Sequence, residues 1–161
     1  MKTFGRVLTA MITSFNNDGS LNIENSVAIA HHLLDNGSDG LVGCGTTGEN
    51  PTMSKEDKLA LFTAIAKECG HKGTIIANVG TNDTKSSVNF VKEVSNIDGI
   101  DGLLVVVPYY NKPNQQGQYL HFKAIAEATT LPIMVYNVPS RVGTGISLTT
   151  LVQLHNENPH A

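Results

Sequence analysis

At 161 residues, with 11 basic against 14 acidic side chains, a net charge of −3 and 40% hydrophobic residues, the chain has the size and composition of one ordinary globular domain. No run of Lys or Arg supplies an electrostatic footprint for nucleic acid or an anionic membrane surface, and no stretch approaches the ~18 consecutive apolar residues of a spanning helix. Two cysteines, Cys44 and Cys69, are too few for a disulfide framework and form no CxxC pair. They point to a reducing, cytoplasmic setting and to two small buried apolar side chains.

The first residues, MKTFGRVLTAMITSF, read as a buried strand and not as a signal peptide, because Gly5 and Arg6 interrupt the apolar run and no small-residue cleavage site follows. From there, short apolar runs alternate with longer amphipathic stretches, and Gly, Pro, Asn, Asp or Ser marks each changeover. Strands are predicted at Val7–Thr13, Gly40–Gly45, Thr74–Gly80, Leu103–Pro108 and Ile133–Val138. Helices are predicted between and after them, at about Ile23–Asn36, Lys55–Cys69, Lys85–Asn96, Gln118–Thr129 and Leu148–Asn156. Ser54, Thr84 and Ser147 each stand where a hydroxyl can cap the first free amides, and Asn36-Gly37 and Cys69-Gly70 offer left-handed C-caps.

Strand starts recur about every 30 residues, and LLVVVP and IMVYNV are apolar throughout, the pattern of parallel strands covered on both faces. Such a βα repeat builds either a doubly wound sheet or a (β/α)8 TIM barrel. The first strand carries no GxGxxG, and the distinctive polar residues cluster after several different strands, which favours the barrel. Eight units at this period need about 250 residues, and only five fit in 161.

Three strand-end segments could carry chemistry. In GCGTTGEN (Gly43–Asn50), Gly45 and Gly48 bracket Thr46 and Thr47, so that backbone amides and two hydroxyls could cradle a small carboxylate; a tight turn with a hydroxyl cap explains the same residues. Glu49 is read as fixing this loop through hydrogen bonds, not as a base. In PYYNKP (Pro108–Pro113), Tyr109 and Tyr110 could relay protons or act as packing and interface anchors. In YNVPSRVGTG (Tyr136–Gly145), Tyr136 turns a hydroxyl toward the barrel mouth, and Arg141 either holds a carboxylate or forms a structural salt bridge. None of the six histidines has metal-site spacing, so no metal is expected and all six are read as surface or packing residues.

Together, GTTGEN, PYYNKPNQQG and YNVPSR resemble the dihydrodipicolinate synthase family across the whole chain, in order and on the expected loops. The resemblance implies a lyase built as a (β/α)8 barrel, commonly a homotetramer arranged as a dimer of dimers. Such an enzyme forms a Schiff base between pyruvate and a lysine, then condenses it with L-aspartate semialdehyde on the diaminopimelate route to lysine, with no separate cofactor. It assigns Thr46 as relay hydroxyl, Thr47 and Gly48 to the pyruvate carboxylate, and Tyr136 as proton donor and acceptor. Tyr110 would complete the relay in a neighbouring subunit's site, and Arg141 would hold the semialdehyde carboxylate. N-acetylneuraminate lyase is a similar pyruvate aldolase, but typically shows Ser-Thr where this chain has Thr46-Thr47. Ser14 and Val142 depart from residues common in the family, and Ser86 stands where lysine-inhibited members tend to carry Glu, implying weak feedback by lysine.

The family's lysine belongs to the sixth strand. Lys2, Lys55, Lys58, Lys67, Lys72, Lys85, Lys92, Lys112 and Lys123 all fall at the terminus, on helices or in loops. The Schiff-base amine is therefore expected beyond residue 161, and the 161-residue chain is expected to be a single domain, the N-terminal part of a barrel, and inactive alone. Two alternatives remain: a truncated, self-associating half barrel, or a non-catalytic carboxylate-binding module built on the threonine loop and Arg141.

Overall fold

The structure, a computed structural model, describes residues 4–161. Met1–Thr3, the start of the segment read as a strand and not as a leader, lie outside the described residues, as does Lys2. The chain divides into two compact units, one running to Asn78 and including Asn96–Asp101, the other comprising Val79–Ser95 and Gly102–Ala161.

In the first unit, strands β1 (Leu8–Ala10), β2 (Gly40–Gly43) and β3 (Thr74–Asn78) pair in parallel, with Leu41 opposite Thr9 on one side and Ile75 on the other. Parallel neighbours need a crossover, and helices α1 (Ile23–Asp35) and α2 (Lys55–Cys69) supply it. Asn22 caps α1 by accepting from the Asn25 amide, and Ser54 caps α2 through the Asp57 amide, with Glu56 and Asp57 in the first turn complementing the helix dipole. Every residue of β2 and β3 is buried, as their continuous apolar runs require. Gly43 belongs to this packing: a Cβ there would lie 3.2 Å from Cε1 of Phe62, a ring of α2 with no exposed surface. Burying a side chain of that size contributes about 2–3 kcal/mol.

In the second unit, β4 (Gly102–Val106) pairs in parallel with β5 (Ile133–Tyr136), with Val106 opposite Tyr136. Helices α3 (Thr84–Val94) and α4 (Gln115–Ala126) pack together, and α4 also packs on α6 (Leu148–Glu157). The four-residue helix α5 (Pro139–Val142) lies between β5 and α6. Asn114 caps α4 through Gly117 N, and Ser147 caps α6 through Thr150 N.

Several expectations change in detail. Thr84 is the first residue of α3, and its cap is Asp83, whose carboxylate accepts from Ser86 N at 2.5 Å and is held below the usual carboxylate range by that residue's hydroxyl and amide. Helix α4 begins three residues before the predicted start, because Asn114 supplies a cap that a reading from the apolar pattern passes over. Gly70 is not a left-handed C-cap; its φ is −60°, and glycine is needed because a Cβ would lie 2.5 Å from the Ala66 carbonyl oxygen. The Asn36-Gly37 end does turn left-handed, with Gly37 at φ +103°. Strand β5 is not covered along its length: Ile133 is buried, whereas Met134, Val135 and Tyr136 are half-buried. β4 is its one paired strand among the described residues, and the Ile133 amide donates to the His160 carbonyl at 2.7 Å.

Candidate functional site

In the first unit, β2 runs straight into the threonine loop. Cys44 takes a left-handed conformation, φ 51°, turning the chain sharply off the sheet, and its carbonyl accepts 2.8 Å from Asn78 Nδ2 at the end of β3. Two stacked turns follow, closed by Gly48 N to Gly45 O at 3.1 Å, Glu49 N to Thr46 O at 3.2 Å and Asn50 N to Gly45 O at 3.4 Å. Thr13 anchors the far side by donating from Oγ1 to the Gly48 carbonyl at 2.8 Å. Gly48 is tightly packed: a Cβ would sit 3.0 Å from Met11 O, 3.1 Å from Thr13 Oγ1 and 3.2 Å from Cys44 Cα, so a larger residue would push these neighbours by a few tenths of an ångström.

Packing therefore consumes Gly45, Gly48 and Asn50 while leaving both threonines exposed. Among the described residues, the amides and hydroxyls of Thr46 and Thr47 have no hydrogen-bond partner. Two adjacent N–H groups and two hydroxyls without protein acceptors make an arrangement that can receive an anionic oxygen. Glu49 steadies the loop through its main chain instead of its carboxylate: it takes φ 61°, and its carbonyl accepts from Thr52 N at 3.1 Å and Thr52 Oγ1 at 3.0 Å. Cys44 is a packing residue, without exposed surface and with Met53 Sδ at 3.7 Å, and burial pushes its thiol up to about 12. Cys69 is likewise buried and free.

In the second unit, two loops leave β4 and β5. Tyr109 is half-buried; Tyr110, 89% exposed at φ 68°, and Lys112, at φ 47°, mark a sharply bent segment. Asn111 fixes that segment by accepting at Oδ1 from Asn82 Nδ2 at 3.0 Å and donating from its own Nδ2 to the Asn82 carbonyl at 3.2 Å. Tyr136 closes β5 half-buried, and its hydroxyl has no partner among the described residues. Arg141 is exposed on α5, and its guanidinium forms no ion pair or side-chain hydrogen bond among the described residues, so the structural salt bridge considered for it is absent there. Thr46, Thr47 and Gly48 thus share one loop, and Tyr110, Tyr136 and Arg141 share the other unit, Tyr110 in the segment after β4, Tyr136 at the end of β5 and Arg141 on α5.

Glutamines on α4, not singled out by the sequence reading, hold the loop beyond Arg141. Gln115 donates from Nε2 to Gly145 O at 2.9 Å and accepts at Oε1 from Ser147 N at 2.8 Å and Thr150 Oγ1 at 2.9 Å. Gln118, without exposed surface, donates from Nε2 to Pro113 O at 3.0 Å. The signal available was NQQGQ itself, with two amides three residues apart on one helical face. His121, one turn further on, is buried with Nδ1 2.8 Å from Thr84 Oγ1, and Nε2 lacks a partner. Burial pushes its pKa down to about 4, against a smaller upward pull from Asp83.

No described lysine lies on a strand. Lys58 on α2 is half-buried, and desolvation lowers its pKa. Among the described residues no group of His, Cys, Asp and Glu is placed to hold a metal, and no helix is long and apolar enough to cross a membrane.

A model of the dihydrodipicolinate synthetase family matches residues 3–160. The 4-hydroxy-tetrahydrodipicolinate synthase of Moorella thermoacetica is 50% identical over 151 residues, 94% of this chain and 51% of the relative. That of Desulforamulus reducens is 47% identical over 157 residues, 98% of this chain and 53% of the relative. Among solved structures, dihydrodipicolinate synthase from Cyanidioschyzon merolae with lysine bound matches at a TM-score of 0.94 and 40% identity, covering 98% of this chain and 54% of that one. The Bacillus anthracis enzyme matches at 0.92 and 42%, covering 96% and 52%. The chain spans about half the length of the curated relatives it matches. Its fold class is that of these neighbours, a partial (β/α)8 barrel of about five βα units.

Proposed function

Because the chain belongs to the dihydrodipicolinate synthetase family, we propose that it is the N-terminal part of a single barrel domain of 4-hydroxy-tetrahydrodipicolinate synthase, a lyase of lysine and diaminopimelate biosynthesis. The substrates are pyruvate and L-aspartate semialdehyde, and a lysine outside these 161 residues forms the Schiff base. The observation that carries the reading is the threonine loop, whose backbone satisfies itself and leaves the Thr46 and Thr47 amides and hydroxyls uncommitted at a strand end.

In the proposed reaction the lysine amine adds to the keto carbon of pyruvate and water leaves. Loss of a methyl proton then gives an enamine, whose carbon attacks the semialdehyde's aldehyde group. Thr47 and Gly48 hold the pyruvate carboxylate, Tyr136 gives and takes the proton, and Thr46 relays it. Tyr110, bent outward and 89% exposed, fits a hydroxyl delivered to a neighbouring subunit in a homotetramer. Arg141, whose guanidinium has no partner among the described residues, fits the semialdehyde carboxylate. This chemistry needs no metal or dissociable cofactor, and the reading places the enzyme in the cytoplasm.

Borohydride reduction in the presence of pyruvate tests the reading by intact mass. The full-length polypeptide should gain one reduced pyruvate and the 161-residue chain none; an adduct on the short chain would remove the lysine assignment. Calorimetry of the short chain with pyruvate then tests its half of the site, where heat that Thr47→Val abolishes supports a carboxylate cradle and no detectable heat counts against it.

A further inference from the structure

We propose that Gln115 is a positioning residue for Arg141, acting as a clamp that sets where the guanidinium stands. This rests on the role given to Arg141 above and adds a residue to it. Helix α5 has four residues, too few to hold a conformation by its own hydrogen bonds, so its orientation must be imposed from outside. At its start the chain is held by β5. At its end Gly143, φ 74°, closes the helix by donating from its amide to Pro139 O at 2.9 Å, and a Cβ there would lie 2.8 Å from Lys112 Cε.

Beyond Gly143 the polypeptide has no regular structure until α6, and here Gln115 engages both sides of the gap, with Gly145 on one hand and Ser147 and Thr150 on the other. All three bonds are 2.8–2.9 Å, and one primary amide makes them by using its donor and its acceptor together. Asn137 Oδ1 accepts from Ile146 N at 3.4 Å, so the two ends of the Asn137–Ser147 excursion also meet each other. Removing the Gln115 amide leaves the exit of α5 held only by longer bonds, Ile146 N to Asn137 Oδ1 and Gln118 Nε2 to Gly145 O and Thr144 Oγ1, each 3.4 Å, while its entrance stays in the sheet, and the residue that swings is Arg141.

Two substitutions separate the parts of the clamp. Gln115→Leu removes all three bonds. Gln115→Glu keeps an acceptor for Ser147 and Thr150 and turns a second oxygen against the Gly145 carbonyl. In the full-length protein both should raise KM for the semialdehyde about tenfold, the effect of roughly one hydrogen bond's free energy, with KM for pyruvate within about twofold. In an Arg141→Ala background, Gln115→Leu should add nothing to that KM, because the clamp acts through the arginine. Amide exchange at Ser147, read without any activity, should quicken in Gln115→Leu and stay slow in Gln115→Glu. An unchanged semialdehyde KM in an active protein, or full additivity with Arg141→Ala, overturns the proposal. If the unsubstituted protein lacks synthase activity, the proposed function fails, and unchanged Ser147 exchange in Gln115→Leu overturns the clamp independently.

Discussion

The threonine loop and the arginine loop meet the same requirement, a polar group presented at a strand end, by opposite means. The first is held by its own main chain and by absent side chains: Gly45 accepts two turn bonds, and Gly48 fits against Met11 and Thr13 because it has no Cβ. The second is held from a distance, by amide side chains on α4 that reach the backbone 30 residues later. A loop built the first way moves only if its backbone breaks, whereas one built the second way follows whatever disturbs the helix that clamps it. In the proposed site, rigidity suits the carboxylate cradle, and dependence on α4 ties the position of the arginine to that helix.

The largest expected effect comes through α4. His121 is neutral when folded, with a pKa near 4 against an ordinary value of 6.5. The unfolded chain therefore binds the extra proton first as pH falls. The corresponding stability is fully present above pH 6.5 and is lost between 6.5 and 4, amounting to about 3 kcal/mol. Protonation makes both ring nitrogens donors, and Nε2 has no hydrogen-bond partner to receive one. Protection of the Ser147 amide, taken relative to its intrinsic exchange at each pH, should fall as pH drops across that window, while the Gly48 and Asn50 amides should keep their protection until global unfolding. His121→Leu should remove the difference, and parallel loss of protection in both loops would break the contrast.

Gly48→Ala should come next, destabilising the chain by about 2 kcal/mol in thermal or urea unfolding, since its Cβ meets backbone atoms that cannot rotate away. It should leave Ser147 exchange unaltered. The caps provide a control: Ser54→Ala on the threonine side and Ser147→Ala on the arginine side should each cost about 1 kcal/mol, because each hydroxyl accepts one first-turn amide irrespective of the loop beside it. The smallest effect expected is that of millimolar lysine on the full-length protein, where Ser86 stands on exposed α3 surface and activity should remain nearly unchanged; strong inhibition would refute the reading of Ser86.

Most of the elements were legible from pattern. Buried parallel strands read as unbroken apolar runs, and Ser54 and Ser147 announce helices because a hydroxyl before a polar first turn has one common use. Helix α5 was not predicted, although Pro139 at its first position and Gly143 after its last are helix punctuation; four residues are too short to show a period. Asp83 displaced Thr84 as cap because adjacent residues of both kinds can serve, and geometry alone chooses. Thr46, Thr47, Tyr136 and Arg141 stood out as polar residues crowding strand ends, whereas Gln115 resembles any surface glutamine until Gly145, Ser147 and Thr150 are seen around it.

By itself the sequence determined the βα repeat, the caps and the residue types available for carboxylate chemistry, because periodicity and capping act over a few neighbouring residues. Only the tertiary structure decided which of those residues are spent on holding the fold and which remain unspent. Gly48 proves to be a tightly packed glycine, Glu49 a main-chain support and Cys44 a buried thiol, while the amides and hydroxyls of both threonines and the Arg141 guanidinium have no partner among the described residues. The reason is physical: a hydrogen-bond partner tens of residues away in sequence leaves no local signature, and a close approach is visible only once the approaching atoms are in place.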